Sequence, residues 1–488
     1  MIVEVLLLVF LALLAVYFYH KPAKNLPPGP FSLPIIGNLK LVMVAEDVRK
    51  LRKTYGDIFK VRAGCVDMTF ICDFKLVKEA FSKIECTDRP HWETVHFLTD
   101  GKETGVIMTN GQHWQNARRF LLRNLRDLGM GKSYLEVPIQ EEAQMLVNDF
   151  RKYDGKAVPL PNSINIAVLN VIWQLVASRR YELDDKDITS FIALIKSFQE
   201  DTSAFILPIF FPILNYLPRF LTRKLFRFDI IDKVKQNALG LLGGIIESHK
   251  AKLDPSNPRD IVDKYLLEMN KKSDIASFFS ELDLIRNIFD LFSAGFDTTS
   301  NMLRWMCLYM AAYPDVQKSV QKEIDDAVPR DRLPSQQEKP QLQYLEAVIH
   351  EVLRMSSLIP FSVSHFVTQD IELGGYVLPK GMTLQACSVI CHEDPSYWPN
   401  PHKFNPSRFL DDNGKFVPKK EGFLPFGIGR RQCLGESLAR MELFIFSAAL
   451  LQNFTFSPAP SKEIDLSPET VPFAQFSKLQ DIVITIRK

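Results

Sequence analysis

The sequence predicts a mainly α-helical protein with a long central helix and a minor β part. Residues 281–313 repeat apolar side chains every three or four positions, which indicates one long helix that is apolar on most of its faces. Such a helix has to run through the centre of the body. Residues 342–355 predict a second helix. Its apolar stripe consists of Leu345, Val348, Ile349, Val352 and Leu353.

The β part is predicted between residues 363 and 391, "VSHFVTQDIELGGYVLPKGMTLQACSVIC". Turn residues interrupt this apolar stretch at 374–375 (Gly-Gly) and 379–381 (Pro-Lys-Gly), so it predicts a series of short strands. Helical patterns cover far more of the chain, and the predicted fold class is therefore mainly α.

The composition favours one large body without a nucleic-acid partner. The chain has 488 residues, and no linker, charge block or repeat divides it after the N-terminus. Lysine and arginine number 59 and aspartate and glutamate 57, so no excess of positive charge indicates nucleic-acid binding.

The cysteines indicate a reducing compartment. There are seven, an odd number without a C-x-x-C pair, so a disulfide framework is not expected. Cys387, Cys391 and His392 are close enough in sequence to suggest a metal cluster. No second pair of ligands supports that cluster, and buried structural thiols are the favoured interpretation.

The N-terminus predicts a membrane anchor. Residues 2–19 are apolar except for Glu4, and an eighteen-residue helix is about 27 Å long, close to the thickness of a bilayer's hydrocarbon core. A cleaved signal peptide would have a basic segment before the apolar run and a small-residue cleavage site after it, and both are missing. Basic residues follow instead, at Lys21 and Lys24. We therefore expect a single-pass signal anchor over residues 1–20, with the remaining chain in the cytosol.

Two further segments bear on membrane contact. Residues 21–39 contain five prolines, four of them within residues 26–39, and predict a stiff, extended connector between the anchor and a catalytic body over residues 40–488. Residues 205–228 contain six phenylalanines, three prolines and several arginines. This segment is either part of the core or a loop that enters the lipid headgroups, and we favour contact with membrane lipid.

The stretch 423–440, "FLPFGIGRRQCLGESLAR", predicts a glycine turn followed by a helix from residue 434. Cys433 is therefore expected at or just before a helix N-terminus, where the dipole stabilises a thiolate. Such a thiolate could act as a nucleophile, as a zinc ligand or as a heme ligand. A nucleophile needs a nearby base and zinc needs three more ligands, whereas heme iron needs one protein ligand and cations for its propionates. Arg430 and Arg431 are such cations.

A dinucleotide-binding loop is the other interpretation of this glycine pattern. It lacks the third glycine and the strand and acidic residue that normally accompany the motif.

Residues 426–435, "FGIGRRQCLG", resemble the ten-residue heme signature of the cytochrome P-450 superfamily. The matching positions are Phe426, Gly427, Gly429, Arg431, Cys433 and Gly435. The resemblance implies the cytochrome P-450 fold and heme b (iron protoporphyrin IX), with Cys433 as the iron ligand. It also implies oxidation of a small apolar substrate by dioxygen. Electrons from NADPH would arrive through a separate membrane-bound NADPH–cytochrome P-450 reductase, with a cytochrome b-type protein as a second donor.

The resemblance extends to further positions along the chain. Trp114 and Arg118 match a W-x-x-x-R pair that reaches a heme propionate, and His365 and Arg89 stand where the family has two other propionate ligands. Three other positions are expected to stabilise the scaffold behind the heme loop. Glu351 and Arg354 form an E-x-x-R pair that lies away from the apolar stripe of the helix over residues 342–355, and Arg408 belongs to P-x-R-F.

The sequence "AGFDTT", residues 294–299, places a glycine and two threonines in the middle of the long helix. These residues are locally unfavourable there, so a functional reason is expected. By resemblance, the segment forms a groove that admits dioxygen, and Asp297 and Thr298 form an acid–alcohol pair that guides protons.

Residues 118–132 are similar to the animal microsomal branch of the family, which oxidises drugs, steroids and fatty acids. The expected location is therefore the endoplasmic reticulum membrane. Two rival functions remain: a heme-thiolate isomerase or dehydratase, and a heme-binding sensor or carrier. Residues expected near the substrate are Met108, Phe361, Val363 and Phe473. Residues expected to bind the reductase are Arg119, Arg123, Arg126, Lys132 and Arg430.

Overall fold

The computed structural model describes residues 25–488 except 34, 40–43, 132–134, 201–202, 219, 222–227, 272–277 and 472–473. The predicted anchor over residues 1–20 and the expected site residues Lys132 and Phe473 lie outside the described residues, as does part of the 205–228 segment. Among the helices of the described part, none combines the length and the apolar character needed to cross a bilayer.

Helices make up most of the described chain, as predicted. They are α1 Ala45–Tyr55, α2 Phe74–Ser82, α3 Gly111–Asp127, α4 Glu136–Phe150, α5 Ser163–Ala177, α6 Lys186–Glu200, α7 Ser203–Phe210, α8 Phe228–Lys250, α9 Ile261–Met269, α10 Glu281–Ala312, α11 Pro314–Ala327, α12 Gln343–Ser356, α13 Ser388–Glu393 and α14 Glu436–Asn453. The two helices predicted over 281–313 and 342–355 are confirmed as α10 and α12.

The central position of α10 is also confirmed. Ser280 caps the N-terminus of the helix, because its side chain accepts the Asp283 N–H, and the first turn contains acidic residues. Most of its residues are buried, and it contacts α5, α8, α11, α12 and α14. Aromatic packing fixes it against α5, where the rings of Trp173 and Phe292 lie 5.2 Å apart.

The β part consists of short strands in small sheets. They are β1 Ile58–Ala63, β2 Val66–Ile71, β3 Ala157–Pro159, β4 His365–Phe366, β5 Ile371–Leu373, β6 Tyr376–Leu378, β7 Thr383–Ala386, β8 Phe454–Pro458, β9 Pro468–Val471, β10 Ala474–Ser477 and β11 Asp481–Ile486. The largest sheet has the order β1-β2-β7-β4, with β2 and β7 parallel. The others are β3-β11-β8, β5-β6 and β9-β10.

The strands predicted between residues 363 and 391 are confirmed as β4 to β7. Gly374 and Gly375, with φ of 56° and 83°, form the two-residue turn of the β5-β6 hairpin. The strand prediction is wrong for the last residues, which belong to α13. There the Ile390 and Cys391 N–H groups donate to Cys387 O, and a short apolar run does not by itself distinguish a strand from a buried helical turn.

The described part of the predicted connector is attached to the body. The Lys60 N–H donates to Pro28 O at 2.8 Å, and the Gly64 N–H donates to Ile36 O at 3.0 Å. A Cβ on Gly29 would lie 2.0 Å from Lys60 O, so the connector approaches β1 at a distance that only glycine permits.

Candidate active site

The cysteine loop before α14 folds back on itself. The Cys433 N–H donates to Phe426 O at 2.9 Å, and Gly427 and Gly429 adopt φ of 70° and 82°. A Cβ on Gly429 would lie 2.3 Å from Phe81 O, so glycine is needed for the loop to pass α2. A Cβ on Gly427 would meet no atom within 4 Å, so glycine is favoured at this position only because of its positive φ.

Cys433 lies three residues before Glu436, where α14 begins. Its side chain is exposed by surface area, yet burial raises the pKa of its thiol. The sulfur therefore lies at an accessible surface inside the body. The Gly435 N–H, Arg118 and Arg440 lower this pKa, but burial has the larger effect. The expected stabilisation of the thiolate by the helix is thus outweighed, and a bound metal cation would be needed to favour the thiolate.

Three buried or half-buried arginines lie beside this loop. Burial is the first cause that lowers their pKa values, to about 9 for Arg89 and about 8 for Arg431. The pKa of Arg118 is also lowered by burial. Arg118 also lowers the pKa of Arg89, and both of these arginines lower that of Arg431, which Asp88 raises. These positive charges therefore repel one another at close range.

The hydrogen-bond partners of these arginines are mostly backbone carbonyls. Arg118 donates to Gln432 O at 2.6 Å, Arg431 to Thr109 O at 2.6 Å, and Arg89 to Val363 O at 2.7 Å. Within the described part of the chain, no carboxylate forms an ion pair with any of the three.

Two aromatic residues complete the cluster. The Arg431 guanidinium lies 3.9 Å from the centre of the Trp114 ring, and the buried Trp114 Nε1 has no hydrogen-bond partner. His365 Nδ1 lies 2.6 Å from Cys86 O, so this nitrogen is the donor. Burial, and then Arg89, hold the pKa of His365 well below its usual range.

These residues fit heme. A cluster of arginines with an unpartnered indole N–H is suited to the two propionate carboxylates, and an accessible cysteine sulfur stands on the adjacent loop. His365, as the neutral Nδ1–H tautomer, would accept at Nε2 and would donate to a carboxylate only once protonated, which a nearby anion favours. The structure thus brings together the four residues that the resemblance assigned to the propionates and Arg431, which was expected from the cysteine loop as a further cation. They are Arg89, Trp114, Arg118, His365 and Arg431.

The acid–alcohol pair lies in the middle of α10. Thr298 Oγ1 donates to Ala294 O at 2.8 Å, and the side chains of Thr298 and Ala294 are accessible although the helix is largely buried. Asp297 is buried, and its Oδ1 accepts from Asn301 Nδ2 at 3.0 Å. Thr298 therefore faces an accessible surface with its oxygen lone pairs, while Asp297 faces the protein.

The neighbouring glycine and threonine have packing roles. A Cβ on Gly295 would lie 3.1 Å from Ile172 Cδ1, so this glycine permits the close approach of α5. Thr299 lowers the pKa of Glu442, which burial raises well above its usual range. The two residues therefore lie close together where α10 packs against α14, the helix that follows Cys433.

The E-x-x-R pair organises the segment behind the loop. Glu351 and Arg354 are 0% and 1% exposed and are joined by two hydrogen bonds of 2.8 and 2.9 Å. Arg408 contacts the same carboxylate at 3.2 Å. Arg354 also donates to His392 O at 2.7 Å, and His392 Nε2 accepts the Leu424 N–H at 2.8 Å. The pair lies off the apolar stripe, as expected, but it is buried because residues 392–409 cover it.

The contacts of Cys387, Cys391 and His392 do not support a metal cluster at these residues. His392 has both ring nitrogens engaged, since Nδ1 lies 2.8 Å from Ser357 Oγ. Cys387 and Cys391 are buried and free, and burial raises the pKa of both thiols.

The residues expected near the substrate and the reductase have different surroundings. Met108 and Phe361 are buried, whereas Val363 is exposed. Arg119, Arg123, Arg126 and Arg430 are all exposed. The first three lie on one face of α3, and Arg123 is 3.9 Å from Glu268.

The sequence interpretation missed Glu442, and it missed the structural role of His392, which it considered only as a metal ligand. Glu442 interrupts the apolar run "MELFIFSAALL" of α14, and such an isolated acid could have marked it. No local signal marks His392, because its role depends on contacts with residues far away in sequence.

The chain is similar to known proteins over nearly its whole length. The sequence profile described as cytochrome P-450 matches residues 27–482. Cytochrome P-450 2L1 of Panulirus argus is 45% identical over 492 residues, covering 97% of each chain. Cytochrome P-450 2B4 of Oryctolagus cuniculus is 39% identical, with 95% of each chain covered. Cytochrome P-450 2J2 of Homo sapiens is 38% identical, with 93% of this chain and 90% of the relative covered.

Proposed function

The chain belongs to the cytochrome P-450 family, and from this premise we propose how its own residues serve the reaction. Membership makes it a cytochrome P-450 monooxygenase, an oxidoreductase that uses heme b, dioxygen and electrons from a reductase. Our proposal is a membrane-anchored enzyme that inserts one oxygen atom into an apolar xenobiotic, steroid or fatty acid. Its electron donor would be NADPH–cytochrome P-450 reductase, with a cytochrome b-type protein as a second donor.

In this proposal Cys433 ligates the iron, with Phe426 and Gly427 shaping the loop around it. The arginine cluster and Trp114 hold the propionates. When bound, the heme supplies the activation of dioxygen, and a thiolate ligand favours cleavage of its O–O bond. The observation that supports the proposal most strongly is the arginine cluster beside an accessible cysteine sulfur, since no described carboxylate forms an ion pair with these arginines.

Thr298 would position a water molecule for proton delivery. Because its own hydroxyl proton is donated to Ala294 O, the oxygen can accept a hydrogen bond from water. Asp297, on the protein side of the helix, would supply protons to this water. Thr298 itself does not need to ionise.

Two groups of exposed apolar side chains support membrane contact of the body. The group on the connector consists of Phe31, Leu33, Ile35 and Ile36. The group that follows α7 consists of Ile213, Tyr216 and Phe220. Both segments bond to the turn between β1 and β2, since Gly64 N–H donates to Ile36 O and Cys65 N–H donates to Phe210 O. These side chains would enter one face of the endoplasmic reticulum membrane, below the anchor over residues 1–20.

The connector over residues 21–39 would then set the orientation of the catalytic body, residues 40–488, on that membrane. Its bonds to β1 support this role, because a connector fixed to the body transmits the position of the anchor.

A turnover assay tests the proposed function and separates it from its rivals. The full-length protein would be combined with the reductase, NADPH and labelled dioxygen, and products of lipids, steroids and xenobiotics would be analysed. We expect one labelled oxygen atom per product molecule, and no product when the reductase is omitted. Rearrangement of an organic peroxide without reductase would instead identify an isomerase or dehydratase. Heme binding without any turnover would identify a sensor or carrier.

A further inference from the structure

Three potential metal ligands converge on the loop before α3. The ligand atoms of His91, His96 and Glu103 all lie within 4.8 Å of one another. His91 Nδ1 is 2.6 Å from Glu103 Oε1. Two imidazoles and a carboxylate form a ligand set that zinc commonly uses in proteins.

The backbone of this loop brings the three residues together. The 3-10 helix Glu93–Thr99 carries His96, and a turn follows in which Asp100 and Gly101 adopt φ of 51° and 83°. The Gly101 N–H donates to His96 O at 3.1 Å, which closes the turn. The chain therefore reverses, and residue 103 returns to the side chain at residue 91.

His96 gives the second, independent observation. Its side chain is 0% exposed, and neither Nδ1 nor Nε2 has a hydrogen-bond partner. Buried polar groups in proteins are rarely left in this state, because the lost hydration is not replaced. The ring belongs to the same cluster of ligand atoms as His91 and Glu103, and a metal ion would engage one of its nitrogens.

A second histidine–carboxylate group shows the contrast. His249 Nδ1 lies 2.9 Å from Ile245 O and Nε2 lies 2.8 Å from Asp260 Oδ2, so both nitrogens have partners. Asp260 also caps α9 by accepting the Asp263 N–H. This group is explained by the packing of α8 and α9, whereas the group at His96 is not.

From these observations we propose that His91, His96 and Glu103 bind one divalent transition-metal ion, with Zn²⁺ as the best-fitting ion. Metal–ligand bonds of about 2.0–2.2 Å in a tetrahedral arrangement place the ligand atoms about 3.3 Å from one another. His91 Nδ1 and Glu103 Oε1, which lie 2.6 Å apart, would therefore separate slightly to admit the ion. His91 and Glu103 are exposed and can make this adjustment, while the buried His96 remains fixed. Water would complete the coordination.

The charges around the site permit a cation. Arg286 donates to Val95 O at 2.6 Å, next to His96, but its charge is balanced by Asp290 at 2.7 Å. The 3-10 helix contacts α7, α8 and α10, and the rings of Phe97 and Phe289 pack at 6.1 Å. A bound ion would therefore stabilise the packing of this loop against α7, α8 and α10.

The test is a Zn²⁺ titration of the full-length heme-loaded protein, prepared without a histidine tag and freed of other metals with a chelator. Calorimetry gives the affinity, and elemental analysis after gel filtration gives the zinc content. We expect one tightly held zinc per chain. His91→Ala and Glu103→Ala should each weaken binding about 10-fold or more without changing the heme spectrum.

His402→Ala is the matched control, because His402 is also exposed but lies outside the cluster. It should bind zinc like the parent. Absence of stoichiometric zinc binding in the parent, or unchanged affinity in both His91→Ala and Glu103→Ala, would overturn the proposal. Because both ligands are exposed, neither substitution is expected to unfold the chain.

Discussion

Thr298 illustrates how a single hydrogen bond limits the role of a residue. Its proton is directed at Ala294 O, so the hydroxyl is available as an acceptor and its contribution is to position water. Thr298→Ala removes that acceptor and introduces a better helix former, so the fold should persist. We expect NADPH consumption to continue with a smaller fraction of product and more hydrogen peroxide. The measurement is the ratio of product and peroxide to NADPH.

Thr298→Ser is the control for this prediction, because serine keeps the hydroxyl. It should couple NADPH to product more nearly like the parent. Equal coupling in Thr298→Ala and the parent, with several substrates, would remove Thr298 from the proton path. Thr299 would not replace it directly, since its side chain is buried beside Glu442.

At the scale of elements, Glu351 connects α12 to the segment that precedes the cysteine loop. Its carboxylate accepts from Arg354, from Arg408 and from the Asn405 N–H. Glu351→Gln would leave the buried Arg354 without its counter-charge, and we expect a loss of about 3–5 kcal/mol in the free energy of unfolding. Denaturant unfolding, followed by heme absorbance and by circular dichroism, measures this loss.

Glu372→Gln on β5 is the matched control, since Glu372 is exposed and should tolerate the change within about 0.5 kcal/mol. A similarly small effect of Glu351→Gln would show that the pair does not support the scaffold.

Helix α3 presents a basic face that we expect to bind the reductase. Arg119 and Arg126 are exposed, and cationic patches accelerate association with an acidic partner, less so at high salt. Reversing both to glutamate should raise the apparent KM for reductase several-fold, most clearly at low salt, and leave the heme spectrum unchanged. Lys318→Glu with Lys322→Glu on α11 is the control, because both lysines are exposed on another helix. Equal KM values for the two double variants would place reductase binding elsewhere.

Sequence and structure agree where local patterns decide. The periodicity over 281–313 located α10 to within one residue, and the paired glycines located the β5-β6 hairpin. Helical period and turn chemistry are properties of neighbouring residues, so one sequence suffices for them.

The sequence could not show features that depend on distant contacts. The parallel pairing of β2 with β7 joins residues more than 300 positions apart, and the arginine cluster draws on three separate segments. The raised pKa of Cys433 is another example, because burial by the whole fold exceeds the local effect of the helix N-terminus.

For the whole molecule, the two apolar segments beside the β1-β2 turn predict residual membrane binding. A protein that lacks residues 1–24 should fold with heme and still bind phospholipid vesicles. Ile213→Ser with Phe220→Ser should reduce this binding severalfold, because these side chains are 74% and 72% exposed. Vesicle co-sedimentation measures the bound fraction.

The control for membrane binding replaces Ile84 and Leu479 with serine, since both are exposed but lie outside the two segments. Equal binding of both double variants would contradict the proposed membrane face, as would complete solubility of the truncated parent at low salt.

The central claim is that Cys433 ligates the heme iron, and the spectrum of the reduced, carbon-monoxide-bound protein tests it most directly. The parent should show the strongly red-shifted Soret band of thiolate-ligated heme. Cys65→Ala, a change at another exposed cysteine, should keep the band, and Cys433→Ala should lose it. Retention of the red-shifted band in Cys433→Ala would contradict the account.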